Sequence, residues 1–257
     1  MRKFSLVILI SMFAFCLFAS TALATFINPL GEWSSSADQS LQGVLNGITV
    51  GGASSLDASG DSNDALGFDS SWSLTATGTS AATLIVEIAG FAPNNRFGIF
   101  DSADPNKKVE VFGGSASAGA KAAIGFSRDG SVFLNIVNDT GIDFAGNSFG
   151  YYLINEPGQV FYSDSRLNSD SFDHMVAFQG TNTDLVQLPN SLAALWTNNE
   201  YILAWEDLFG GGDKDYNDMV LMVESVKPVP EPATMLLLGT GLIGLAGFGR
   251  KKLLKNQ

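Results

Sequence analysis

Between residues 205 and 220 the chain reads WEDLFGGGDKDYNDMV, which gathers six acidic or amide side chains, Glu206, Asp207, Asp213, Asp215, Asn217 and Asp218, around the glycines 210–212. Carboxylates and amides are the hard-oxygen donors that calcium collects in sets of six to eight, and the alternate positions Asp213, Asp215 and Asn217 have the spacing with which a tight loop wraps one ion. The same side chains could cap their own turn, because Asp and Asn bond the backbone two residues on. Paired carboxylates are also the equipment of glycoside hydrolysis. Four oxygen side chains within six residues exceed what a turn needs, so calcium is the expected occupant.

An EF-hand spacing is met on paper by Asp213, Asp215, Asn217 and Glu224. It fails physically, since Asp218 stands where that loop requires glycine. Residues 219–223 also read as strand, which at about 3.3 Å per residue carries Glu224 roughly 20 Å from Asp218. The remaining ligands are expected from Glu206 and Asp207 on the incoming strand and, more weakly, from Asp101 and Asp104 in FGIFDSADP (97–105), the next acidic tip.

Other chemistries have less material. The segment 146–150, GNSFG, matches G-x-S-x-G, with Asp164 or Asp170 and His174 following in the order a serine hydrolase uses. A nucleophile elbow needs a strand before it and a helix after it, whereas the strand-like FGYYLI follows here. His174 is the only histidine and is expected at a strand edge; Cys16, the only cysteine, lies in the leader described below. No catalytic residue is assigned.

The elements that must position the acidic cluster are short β-branched and aromatic runs bounded by Gly, Asn, Asp and Pro: 83–89, 108–112, 131–137, 149–154, 174–178, 200–205 and 219–224. These are strand signals. Only 191–196 hints at a helical turn. With no helices between strands there is no βαβ unit, and the expected fold is all-β, an antiparallel β-sandwich or jelly roll. The cluster then closes the hairpin between EYILAW and MVLMVE, with the glycines supplying positive φ. Residues 25–90 are read as the β-rich start of the sandwich and 91–227 as its main β domain.

Both ends carry processing signals. Arg2 and Lys3, an apolar run over 4–18 and the small-residue site at Ala22 and Ala24 form a signal peptide over 1–24. At the other end Val229, Pro230, Glu231 and Pro232 precede an apolar stretch over 233–249 and the basic tail 250–257. Seventeen residues at about 1.5 Å each span roughly 25 Å, the low end for a transmembrane helix. Its basic end belongs on the cytoplasmic side.

This order of motif, short apolar helix and basic end over 228–257 resembles the PEP-CTERM sorting signal of Gram-negative bacteria. The resemblance implies transient membrane insertion, recognition by an exosortase, and passage to the cell surface or a secreted polysaccharide matrix. FGIFDSADP and the 205–220 stretch resemble the domain-of-unknown-function family 4114 over about 91–226. That implies a β-rich extracellular module of calcium dependence, with Trp205, Glu206, Asp207, Asp213, Asp215, Tyr216, Asn217 and Asp218 in the signature positions and no catalytic residue.

Without the basic residues of the two ends, Arg2, Lys3, Arg250, Lys251, Lys252 and Lys255, the basic count falls from 14 to 8 while all 26 acidic residues remain, a net charge of −18. Nucleic acid is excluded as a partner, because it requires a basic surface. Unpaired carboxylates repel one another, and divalent cations relieve that repulsion. The expected function is a non-enzymatic surface or matrix module in adhesion or biofilm, with exopolysaccharide or other surface proteins as partners. A carbohydrate-active enzyme and an uncleaved single-span surface protein are the alternatives.

Overall fold

The computed structural model describes residues 40–58, 69–75, 81–90, 94–116, 118–230 and 240, with 81–90 as backbone only. Ala22, Ala24, Glu231, Pro232 and nearly all of the apolar run 233–249 lie outside the described residues. Among the described residues no helix is long and apolar enough to cross a membrane.

Among the described residues the first element is a helix, α1 (Leu41–Ile48). Fifteen strands follow: β1 (Trp72–Leu74), β2 (Ala81–Gly90), β3 (Arg96–Asp101), β4 (Asp104–Phe112), β5 (Lys121–Phe126), β6 (Ser131–Leu134), β7 (Asn138–Asp143), β8 (Ser148–Ile154), β9 (Val160–Tyr162), β10 (Met175–Gln179), β11 (Leu185–Val186), β12 (Ala194–Leu195), β13 (Glu200–Trp205), β14 (Met219–Glu224) and β15 (Val226–Pro228). One sheet runs β15-β1-β8-β3-β4, with β9 also paired to β8; the other runs β10-β13-β14-β2-β5-β6-β7. Every strand pairing is antiparallel.

The two sheets stack face to face through aromatic rings. Trp72 meets Tyr201 at 4.8 Å between ring centres, Phe126 meets Phe149 at 5.3 Å and Phe97 meets Trp205 at 6.0 Å. Side chains alternate along a strand, so Tyr201, Leu203 and Trp205 of β13 and Met219, Leu221 and Val223 of β14 face this core. Ile202, Ala204, Val220 and Met222 face the other way, into a second core closed by α1, Val186, Leu188 and Trp196. That second cover explains why EYILAW and MVLMVE are continuous apolar runs rather than alternating ones: both their faces are buried.

Three expectations are corrected. Residues 25–90, read as β-rich with no helix, also hold α1, because LQGVLNGI places Leu41, Val44, Leu45 and Ile48 on one helical stripe, and Ser40 caps the helix by accepting the Gly43 N–H at 3.1 Å. The strand expected over 131–137 stops at Leu134. Asn135 and Ile136 have φ of 51° and 71°, turning the chain so that Asn138 pairs back on Leu134. The helical turn expected at 191–196 is instead β12, paired to β11 through Leu185–Leu195 and Val186–Ala194.

Because α1 covers the outer face of the very strands that carry the acidic connection, its loss should be felt throughout the second core. Leu45→Ala, at a fully buried position, is expected to cost about 3 kcal/mol in chemical denaturation, within the range for buried leucine truncations.

Candidate metal centre

Trp205 pairs with Met219, so residues 206–218 form the connection that closes the β13–β14 hairpin. Glu206 and Asp207 continue the line of β13 and therefore point to opposite sides. Glu206 continues the second-core face, where its Oε1 accepts the Tyr216 N–H at 2.7 Å. Asp207 continues the inter-sheet face, where its Oδ2 accepts from Asn95 Nδ2 at 2.9 Å and its backbone carbonyl accepts from Asn155 Nδ2 at 2.8 Å.

The connection is tightly wound. Gly210, Gly211 and Gly212 have φ of 75°, 82° and 47°, and two non-glycine residues, Lys214 and Tyr216, also lie at positive φ, 62° and 53°. Left-handed conformations in side-chain-bearing residues cost energy and persist only where surrounding contacts fix them. Tyr216 is fixed by its buried ring, and its hydroxyl donates to the Asp173 carbonyl at 2.6 Å. At Gly211 a Cβ would lie 2.2 Å from the Phe172 ring. Gly211→Ala therefore meets both a forbidden φ and a ring, and is expected to lower stability by about 2–3 kcal/mol in denaturant titration.

His174, expected at a strand edge, is fully buried just before β10. Its Nδ1 lies 3.0 Å from the Glu206 carbonyl oxygen and its Nε2 3.0 Å from Asp170 Oδ2, while its ring stacks on Phe161 at 4.0 Å. Asp170 Oδ2 also accepts the Gly210 N–H at 2.7 Å. Burial alone would raise the Asp170 carboxyl, but the N–H groups of Gly210 and Phe172 and the His174 ring outweigh it and hold the group below its ordinary value. Asp170 and His174 thus hold the connection at two points, Gly210 and Glu206. Neither serves a serine nucleophile, because Ser148 opens β8 and its hydroxyl donates to Ser102 at 3.3 Å.

Inside this frame, one carboxylate oxygen each from Glu206, Asp213 and Asp215 lie within 4.8 Å of one another. Asp213 is exposed, whereas Asp215 is 8 % and Glu206 0 % accessible. Asn217 Nδ2 donates to Asp215 Oδ2 at 2.8 Å, so the amide orients a carboxylate rather than offering its oxygen there. Glu206 Oε2 is buried without a hydrogen-bond partner and faces Gly212, whose Cβ, if present, would stand 3.0 Å from it. Burial, together with the charges of Asp218, Asp215 and Asp213, pushes the Glu206 carboxyl up to about 8 despite the Tyr216 N–H. A buried carboxylate with one unmatched oxygen, grouped with two further carboxylates, fits a hard divalent cation, whose charge would satisfy all three.

The sequence cluster is thus divided. Glu206, Asp213 and Asp215 converge, with Asn217 attached to Asp215. Asp207 turns to Asn95, whereas Asp218 stands between the two groups: its Oδ2 accepts the Asp207 N–H at 2.9 Å and its charge also acts on Glu206. Burial and the neighbouring Asp207 push Asp218 up to about 7.

Asp101 and Asp104 do not approach either group. Asn95, which meets Asp207, precedes β3, and Asp101 ends that strand, roughly 20 Å away at ~3.3 Å per residue. Asp101 is used up as a turn anchor, accepting from the N–H groups of Ala103 at 2.9 Å and Ala145 at 2.7 Å, while Asp104 accepts from its neighbour Asn106. Glu224, at the far end of β14, pairs with Glu200, as the failed EF-hand spacing requires.

Sequence reasoning missed Asn95, Asn155, Asp170 and His174 as supports of the connection. Asn95 stands 112 residues from Asp207, and no local pattern links them.

Comparison with known families bears on the same segment. Residues 135–226 match the family described as a domain of unknown function (DUF4114), and residues 228–251 match the PEP-CTERM protein-sorting motif. The chain thus carries a segment matching DUF4114, followed directly by one matching the sorting motif. The DUF4114 match includes the whole 206–218 connection but begins after β6, leaving out FGIFDSADP. The matched strands interleave with β1, β2 and β3 in both sheets. No match was found among curated proteins or among solved structures.

Proposed function

We propose that this protein is a non-enzymatic, surface-displayed β module whose β13–β14 connection holds a calcium ion, and that it serves adhesion or the extracellular polysaccharide matrix. The sorting motif implies export, processing by an exosortase and a membrane-anchored intermediate. The observation that carries the calcium reading is Glu206, whose Oε2 is enclosed and unmatched and whose carboxylate has an oxygen within 4.8 Å of one from Asp213 and one from Asp215. A raised carboxyl could also suit acid–base chemistry on a sugar. The enclosure of Glu206 argues against that use, since a substrate must come within hydrogen-bond reach of a general acid. An ion reached through the exposed Asp213 meets no such barrier.

The test is calorimetric titration of the full-length chain with calcium, beside Asp213→Ala and Asp215→Ala. A Kd near ~0.1 mM, the order seen in extracellular modules, is expected for the unaltered chain, with at least a tenfold loss in each variant. Equal affinity in all three chains would refute the assignment.

A further inference from the structure

We propose that Leu208 and Phe209, at the tip of the β13–β14 connection, form a contact for a zwitterionic phospholipid surface, against which the module rests while its tail still anchors it. This rests on the membrane-anchored intermediate of the proposed function and not on the calcium ion. The two side chains are adjacent and 54 % and 61 % exposed. The loop presents them outward: Leu208 keeps extended backbone at φ −113° and ψ 142°, the chain then turns through Gly210 and Gly211 at positive φ, and a Cβ on Gly212 would stand 3.3 Å from the Leu208 side chain.

The direction of the last strand puts this tip on the membrane side. β15 runs antiparallel to β1 and β1 antiparallel to β8, so β15 and β8 point the same way. β8 ends at Ile154, and the next residue, Asn155, bonds the Asp207 carbonyl at 2.8 Å. The chain therefore leaves the sandwich heading for the end that carries the 206–218 connection. Val229 donates its N–H to the Ser71 carbonyl at 2.8 Å, one residue beyond the level at which Pro228, Trp72 and Phe149 align. From that level, that of Gly150, β8 has four residues left, about 13 Å. The apolar stretch starts at residue 233, also four residues on from Val229, and four residues reach at most about 14 Å. A bilayer that holds the stretch thus begins close to the level of the tip, and the opposite end of the sandwich, at Asn147 and Ser148, faces away from it.

Charge selects the lipid. Asp213 and Glu156 are exposed at the same end, so an anionic surface is repelled and a net-neutral one is not. A leucine and a phenylalanine bury little apolar area in the headgroup region. The tail compensates by holding them there at an effective concentration on the order of millimolar, at which a weak contact suffices.

The test uses the full-length chain with Cys16→Ser, reconstituted in phosphatidylcholine vesicles and carrying one environment-sensitive fluorophore on Phe209→Cys or on Asn147→Cys. The label at 209 is expected to emit at shorter wavelength than in detergent-free buffer and to lose most of its emission to lipids brominated in their acyl chains, while the label at 147 keeps a solvent-like spectrum. Solvent-like spectra at both positions, in vesicles that carry the chain, would overturn the contact and leave the anchored intermediate standing. Quenching at 147 and not at 209 would overturn the orientation. A chain that does not float with the vesicles would overturn the anchored reading and the contact with it. Leu208→Ser in the chain labelled at 209 should weaken the quenching with no shift in thermal midpoint, and undiminished quenching there would overturn the role of the apolar pair.

Discussion

In chelator, the thermal midpoint of the full-length chain should fall as pH rises from about 5 to about 8, whereas in calcium it should hold or climb. Glu206 is raised from 4.5 to about 8 and Asp218 from 3.8 to about 7. Between the unfolded and folded values the native state keeps protons that the unfolded chain has released. This contribution is fully present below about pH 4, and is lost as pH climbs through 7 to 8. For Glu206 alone the loss is on the order of 4 kcal/mol, or roughly 10 °C for a structure of about 200 residues. Calcium takes the place of the protons and binds only the ionised carboxylates, so its stabilisation grows over the same interval. The two midpoint curves should diverge with pH. Parallel curves would mean that these carboxyls titrate without any ion to receive.

Glu206→Gln should separate the cost of the buried charge from its use. The amide oxygen can still accept the Tyr216 N–H at the position of Oε1, so the strained connection keeps its anchor. The charge is gone, and with it the repulsion from Asp213, Asp215 and Asp218. In chelator near pH 8 the variant should be more stable than the unaltered chain by about 2–4 kcal/mol, as expected when a charged buried group is replaced by a neutral one of the same shape. The calcium gain, about 2.7 kcal/mol when the ion is at a hundred times Kd, should shrink to the part contributed by other carboxylates. Glu206→Ala behaves differently, because it removes the Tyr216 partner and loses stability with or without calcium. A Glu206→Gln chain that gains as much from calcium as the original would place the ion elsewhere.

The sequence disclosed the site-bearing hairpin well, for reasons tied to particular residues. EYILAW and MVLMVE are β-branched and aromatic, bounded by turn residues, and they appear as β13 and β14 over the expected residues. The acidic tip was legible because glycine and aspartate crowd into a single connection, in which Gly210, Gly211, Gly212, Lys214 and Tyr216 all take positive φ. What was not legible depended on contacts distant in sequence. Asn95, just before β3, and Asp101, its last residue, lie six residues apart, and nothing local says which of them turns towards Asp207. The division of Glu206 from Asp207 follows from alternation alone, but only once β13 is known to continue into the connection. Helix α1 carried its stripe of Leu41, Val44, Leu45 and Ile48 in plain view, diluted by Gly43 and Gly47, which weaken helix propensity. His174 is buried because its two ring nitrogens find partners, Glu206 O and Asp170, that only the folded chain assembles.

Crystals of the protein grown in calcium, measured at a wavelength where calcium scatters anomalously, test the central claim most directly. An anomalous peak is expected inside the Glu206–Asp213–Asp215 triangle, within about 2.3–2.6 Å of Glu206 Oε2 and of a carboxylate oxygen from each aspartate, and absent from crystals of the Glu206→Gln chain. A calcium-grown crystal with no peak there, and Glu206 Oε2 bonded instead to a proton or to protein donors, would contradict it.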